Sequence, residues 1–177
     1  MALRILPIIP LLAALAGACS FSAEADLPEV DVTQHGVVVP GVPIPKWAGD
    51  VSVTSSFTFS SSNTAWAKRM NSQISVRQVT VTATGGVPNL DFVNSVHLTM
   101  TSSTDAEATT EIADYDRSEA APSSSVIAVS MPTPIDITTV WTADQTVVAL
   151  AVAGQLPEQD WTVDVALKLT GKITYNY

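Results

Sequence analysis

The most regular feature of the chain is an alternation of apolar and polar residues along several segments. In the last of them, apolar or aromatic residues occupy odd-numbered positions, with Gly171 as the only gap: Trp161, Val163, Val165, Leu167, Leu169, Ile173, Tyr175 and Tyr177. An earlier segment places Val51, Val53, Phe57 and Phe59 between Ser and Thr residues. Because successive side chains of a β-strand point to opposite faces, each segment predicts a half-buried strand.

Several further segments also have strand patterns. Residues 96–100 alternate in the same way, and residues 109–116 form a weaker, acidic strand pattern. Residues 147–153 are apolar throughout, which predicts a central strand of a sheet covered on both faces. Between Val76 and Val79 the apolar residues change from even to odd positions. A one-residue change of parity predicts a β-bulge near Gln78.

Strands with turn residues between them, and no long helical pattern, predict an all-β protein. We expect an immunoglobulin-like antiparallel β-sandwich of about eight strands over residues 51–177. The Pro-containing segment before it, residues 19–50, predicts an extended tether with first short strands at 30–33 and 37–39.

Composition and charge exclude several classes of protein. The 177 residues include 17 acidic and 8 basic side chains, for a net charge of −9. No nucleic-acid partner is expected, because phosphate neutralisation requires clustered Lys and Arg. A single Cys excludes an intramolecular disulfide and a Cys-rich zinc site. At 46% hydrophobic residues, the chain is too apolar for a disordered protein.

The N-terminal residues form a targeting segment. A short region with one basic residue, Arg4, precedes an apolar run at residues 5–15 that is too short to span a bilayer as a helix. Gly17, Ala18 and Cys19 follow. These residues resemble the lipobox of bacterial lipoproteins, in which two small residues precede the Cys that is acylated. Ala16 departs from the pattern, because Leu is commonest three places before the Cys.

The resemblance implies that residues 1–18 are a signal peptide and that acyl chains on Cys19 bind the protein to a membrane. Ser20, rather than Asp, follows the Cys, which in Gram-negative lipoproteins permits sorting to the outer membrane. The predicted location is therefore the bacterial cell envelope, periplasmic or surface-exposed. Ala16 and Ala18 also fit an ordinary secretory cleavage site, which would cut before the same Cys19 without lipidation.

Candidate chemistry in the mature chain is sparse. Asp114 and Asp116 are predicted to share one face of a strand, which makes them weak metal candidates, since hard cations need several oxygen ligands. His97 is the one His inside the predicted domain, and no Gly-x-Ser-x-Gly motif accompanies it. Trp47 and Trp66 lie in irregular segments and form a possible binding surface, whereas Trp141 and Trp161 fit a core.

These observations favour a non-catalytic envelope lipoprotein without a cofactor. Its β-sandwich would be an interaction or structural module that binds an envelope protein or glycan. One alternative is an envelope hydrolase with a site around His97. The other is a small outer-membrane β-barrel, because the final alternating strand resembles the closing strand of such barrels.

Overall fold

A computed structural model of the chain describes residues 22–43, 49–60, 72–117, 122–141 and 145–176. The strands are β1 (Ser22–Val39), β2 (Val51–Ser60), β3 (Ser72–Gly85), β4 (Val93–Ser102), β5 (Thr109–Asp116), β6 (Val126–Asp136), β7 (Gln145–Gly154) and β8 (Trp161–Asn176). A single helical turn, α1 (Thr138–Trp141), lies between β6 and β7. Among the described residues, no helix is long and apolar enough to cross a membrane.

The eight strands form two four-stranded sheets in which all pairings are antiparallel. Sheet I has the order β1-β8-β3-β6, and sheet II has the order β2-β7-β4-β5. The predicted antiparallel β-sandwich of about eight strands is therefore confirmed.

The strand order identifies the type of sandwich. The first strand pairs with the last, β2 with β7, β3 with β6 and β4 with β5, so the chain is one long hairpin rolled into two sheets. This nested arrangement is a jelly roll. An immunoglobulin domain instead places its first strand beside its second. The expected immunoglobulin-like strand order is therefore wrong. Alternation in the sequence indicates which face of each strand is buried, but it does not indicate which strands pair.

The core lies between the two sheets and is made by the inward side chains of the alternating segments. The central strands β3, β4, β7 and β8 supply most of it, and their buried residues include Val76, Val79, Val96, Leu98, Met100, Val148, Leu150, Val152, Val163, Val165, Leu167 and Leu169. Trp141 and Trp161 are each only 2% exposed, which confirms their prediction as core residues. Burial of each such side chain contributes about 1.5–3 kcal/mol, so the two facing sheets stabilise each other.

The bulge predicted in β3 is confirmed. Ile74 and Val76 at even positions and Val79 and Val81 at odd positions are all buried. The ladders of β3 with both β6 and β8 change register between Val76 and Gln78. The extra residue turns the strand so that both apolar sets face the core.

The first strand differs from the sequence expectation. The two short strands predicted at 30–33 and 37–39 are parts of β1, which pairs with β8 from Ser22 to Val39. Two register shifts, at 27–30 and 34–37, interrupt this ladder, and Pro28, which lacks an N–H, lies in the first. The segment predicted as a tether therefore contributes an edge strand to sheet I.

The second register shift in β1 is held by Asp164 of β8. Gly36 has a φ of +64°, and its N–H donates to Asp164 Oδ1 over 2.9 Å. His35 Nδ1 lies 2.6 Å from Asp164 Oδ2. The Gly36 N–H, together with His35, lowers the pKa of Asp164. A charged acceptor thus satisfies the backbone donor that the bulge exposes.

The connection from β6 to β7 also differs from its prediction. Alternation at Ile135 and Ile137 predicts a strand that continues to a hairpin turn near residues 143–145. Instead β6 ends at Asp136, whose Oδ1 accepts the Thr138 N–H at 2.9 Å, and α1 follows. The hairpin prediction is wrong because β6 and β7 lie in different sheets. The apolar pattern still marks burial, since Ile137 is fully buried.

Two further expectations are corrected by the sheets. The strand β7 is central, as predicted, but its outward residues, among them Ala149 and Ala151, are half-buried rather than covered. Because Ala counts as apolar, alanines on the solvent-facing side of β7 gave this segment an apolar pattern on both faces. The alternative of a closed barrel is also wrong. Within the described residues each sheet ends in two edge strands, and the interior is filled with side chains.

We expect Gly154→Ala to lower the free energy of unfolding by about 3 kcal/mol or more. Gly154 has a φ of +151°, and a Cβ there would clash with the carbonyl oxygen of Phe92. Gly36→Ala is the matched control: its φ is also positive, but a Cβ would meet no atom within 4 Å, so we expect about 1–2 kcal/mol. Urea denaturation measures both, and equal losses would contradict the steric explanation.

Candidate functional site

A bulge in β5 creates a polar cluster on the outer face of sheet II. Leu98 is opposite Ala113 and Thr99 is opposite Glu111, so Ile112 is the extra residue. Residues three apart in a regular strand point to opposite faces. Because Ile112 and Ala113 are both buried, Glu111 and Asp114 instead both point outward.

The cluster is completed by His97 of β4, which is opposite Asp114 in the ladder. His97 Nδ1 lies 3.0 Å from Asp114 Oδ1. One ligand atom each of His97, Glu111 and Asp114 can be chosen so that all lie within 4.8 Å of one another. All three side chains are exposed.

These three groups could supply ligands to a divalent cation and leave the remaining positions to water. Asp114 and Asp116 are both exposed on β5, as the predicted shared face requires, and their role as metal ligands stays a prediction. Asp116 is exposed on the same strand, but Asp114 is brought together with Glu111 and His97 instead. The sequence signal for this cluster is the pair of adjacent apolar residues, Ile112 and Ala113, within an otherwise alternating acidic strand.

The surroundings of His97 bear on the hydrolase alternative. The side chain of His97 is 46% exposed on the outer face of sheet II, and its described polar partner is the carboxylate of Asp114. A serine hydrolase needs a hydroxyl within hydrogen-bond reach of the base and donors that stabilise an oxyanion. The contact of His97 at 3.0 Å is with a carboxylate rather than with a serine hydroxyl.

A cavity of about 570 Å³ lies at the end of the sandwich where β3 connects to β4 and β7 to β8. Its walls combine apolar side chains with amide and carboxyl groups: Val42, Val51, Phe92, Leu156, Pro157, Gln155, Glu158 and Gln159. Phe92 contacts the buried Trp161 edge-to-face, with ring centroids 5.2 Å apart. The residues come from separate connections, so no sequence motif could have identified this cavity.

An ion pair holds the connections at the same end together. Arg117 is 15% exposed, and its Nη2 donates to Asp91 Oδ1 at 3.1 Å. Its Nη1 also donates to the Leu90 carbonyl. The Ser123 hydroxyl hydrogen bond, together with the Ser124 N–H and Arg117, lowers the pKa of Asp91 against the opposing effect of burial. The network thus joins the β3–β4 connection to the β5–β6 connection.

Three predicted site residues lie outside the described residues. These are Cys19, Trp47 and Trp66. The lipidation site and the possible Trp binding surface therefore stay predictions. By the strand order, Trp47 belongs to the connection between β1 and β2, and Trp66 to the connection between β2 and β3.

No family model matches the chain, and no curated protein matches it. Among solved structures, the decameric BFDV capsid protein is 11% identical over 87% of this chain and 99% of its own, with a TM-score of 0.32. The capsid of Macrobrachium rosenbergii nodavirus is 7% identical over 100% of this chain and 94% of its own, with a TM-score of 0.31. Likenesses this distant carry no argument about function.

We expect Asp91→Asn to lower the melting temperature at pH 7, with a difference from the unsubstituted protein that shrinks as pH falls below about 4. The folded-state pKa of Asp91 is lowered, so its contribution to stability is complete above the unfolded-state pKa and is lost as pH falls through the folded-state value. Scanning calorimetry from pH 7 to pH 2 measures the difference.

The control for this prediction is Asp116→Asn, which neutralises an exposed carboxylate on β5 without touching the Arg117 network. Its effect should be small at every pH. A difference for Asp91→Asn that is as large at pH 2 as at pH 7 would contradict a role for the ionised carboxylate.

Proposed function

We propose that the protein is a non-catalytic lipoprotein of the bacterial cell envelope, a jelly-roll interaction or structural module held to a membrane by acyl chains on Cys19. The observation that carries the proposal is the position of Cys19 relative to the sandwich. The first strand begins at Ser22, three residues after it. Cleavage before Cys19 would therefore leave every described strand in the mature protein.

In the sequence Cys19 is three residues from the start of β1, so an acylated Cys19 would keep this end of the sandwich close to the membrane. Three residues of extended chain span at most about 10 Å. The end of sheet I where Ser22 pairs with Asn176 would then lie near the lipid surface. The cavity beside Phe92 and Leu156 lies at the opposite end of the strands and would then face away from the membrane. A partner approaching from the envelope would reach that end first.

The geometry around His97 supports an interaction role over hydrolysis. The His97–Asp114 pair lies open on the outer face of sheet II, where water has free access. Catalytic groups of hydrolases are usually held in a concave site that excludes water and aligns the substrate. The cavity at the far end holds no His among its described lining residues, and its mixed lining suits contact with a protein segment or a glycan.

Lipidation of Cys19 is tested by growing cells with a clickable fatty acid and measuring label on the immunoprecipitated protein. We expect strong labelling of the native chain and none of Cys19→Ala, since the thiol is the acylation site in the resembled family. Ser20→Ala is the matched control and should stay labelled. Equal labelling of the native chain and Cys19→Ala would overturn the anchor and favour ordinary secretion.

Membrane sorting gives a second test at the next residue. We expect Ser20→Asp to move the protein from the outer-membrane fraction to the inner-membrane fraction, because Asp after the acylated Cys retains Gram-negative lipoproteins there. Ser20→Ala should stay in the outer membrane. Sucrose-gradient fractionation of labelled cells measures the distribution. An outer-membrane location for both variants would contradict sorting by this residue.

A further inference from the structure

The free edge of sheet II at β2 is unusually regular. Over the ten residues of Val51–Ser60, β2 pairs with β7 in a single register without a bulge. Among the described residues β7 is its only ladder partner, so the other side of β2 is an edge of the sheet. The nearby β1 contacts β2 through a side chain, since the Ser55 hydroxyl donates to the Val38 carbonyl at 2.7 Å.

The other three edge strands carry features that block pairing with another chain. Proteins commonly protect edges with prolines, charges and bulges. β1 has Pro28, several acidic residues and two register shifts. β6 has Pro132 and Pro134, and β5 has a bulge and three acidic residues. β2 has no proline, no charged residue and no bulge.

Part of the apolar surface of β2 itself is accessible. Val53 and Phe57 of this strand are only half-buried. Apolar side chains on a strand with a free edge are typical of an interaction surface.

We propose that β2 is the contact by which two copies of this chain pair, antiparallel and across a two-fold axis, into one continuous eight-stranded sheet. A two-fold contact requires a surface that is complementary to itself. The sequence of β2 meets this requirement because its residue classes are symmetric about Ser55. Antiparallel pairing centred there places Thr54 opposite Ser56, Ser52 opposite Thr58, and Val53 opposite Phe57.

The side chains on each face are compatible with this register. Thr and Ser residues opposite one another on the outer face can hydrogen-bond across the strands, and the apolar pairs meet on the inner face. The chain has a net charge of −9, which disfavours contact between most of its surfaces. The ten residues of β2 contribute no charge to that repulsion.

The size of the contact sets the expected strength. Ten residues of strand span about 33 Å and a sheet is about 10 Å thick, so each copy contributes on the order of 300 Å². This area is below the roughly 800 Å² per partner of standard interfaces, so we expect weak association. Confinement of both copies on one membrane would raise their effective concentration.

The test is sedimentation equilibrium of the full chain carrying Cys19→Ser, from about 10 µM to 1 mM. This substitution removes the predicted acylation and leaves all eight strands, 22–176, unchanged. The result is therefore independent of the proposed lipid anchor. We expect the mass to rise toward two copies and to stop there, because each chain has one such edge. Monomer throughout, or growth beyond two copies, would overturn the proposal.

Charge placed on the edge distinguishes edge pairing from contact between sheet faces. We expect the double substitution Thr54→Lys and Ser56→Lys to lower the association constant at least tenfold, because the four lysines would face one another. The matched control is Ala149→Lys with Ala151→Lys, which adds the same charges to the same face on the adjacent strand β7. A similar loss in both, with folding verified by circular dichroism, would refute the edge contact.

Discussion

The pairing of β1 with β8 is the constraint on which the other strand pairings depend. It joins Ser22 to Asn176 and Val39 to Trp161, so the first and last strands of the sandwich close around the six between them. Each inner pair is nested within the next, down to β4 with β5. Such a ladder costs a large loop-closure entropy, which the buried side chains of β8 offset. β8 is therefore central in sheet I, with β1 on one side and β3 on the other.

The nested order also divides the molecule into two unlike ends. At one end β1 begins and β8 finishes, which is where a chain held at Cys19 would meet a lipid surface. At the other end the connections are fastened by Arg117 and Asp91 and enclose the cavity beside Phe92. The cluster of His97, Glu111 and Asp114 belongs to neither end, because it lies on an outer sheet face. The predicted anchor, loop contacts and the proposed edge pairing would therefore use separate parts of the sandwich.

Irregularities in the strands determine which polar groups meet. The bulge near Gln78 keeps apolar residues of both parities in the core, whereas the bulge at Ile112 turns Glu111 and Asp114 to the same outer face. At the second register shift of β1, the Gly36 N–H loses its ladder partner and donates instead to the carboxylate of Asp164 in β8. The edge strand that lacks any such irregularity, β2, is also the one without charge or proline. A bulge thus changes both the face a side chain occupies and the availability of an edge.

Much of the fold could be predicted from alternation, because burial of one face is a local property of a strand. It identified β2, β4, β5 and β8, the bulge near Gln78 and the burial of Trp141 and Trp161. The alternation could not specify that β1 pairs with β8, because strand pairing depends on contacts across the whole sandwich.

Asp114 is a candidate ligand from sequence alone. Its position beside His97 and Glu111 depends on the register of the ladder and on one extra residue in β5. The cavity beside Phe92 was not predictable at all, because separate connections meet there. The sequence by itself determined which strand faces are buried, and the anchor at Cys19 stays a prediction from it. Only the tertiary structure decided pairing order, polar clusters and free edges, because these arise from contacts between residues far apart in the chain.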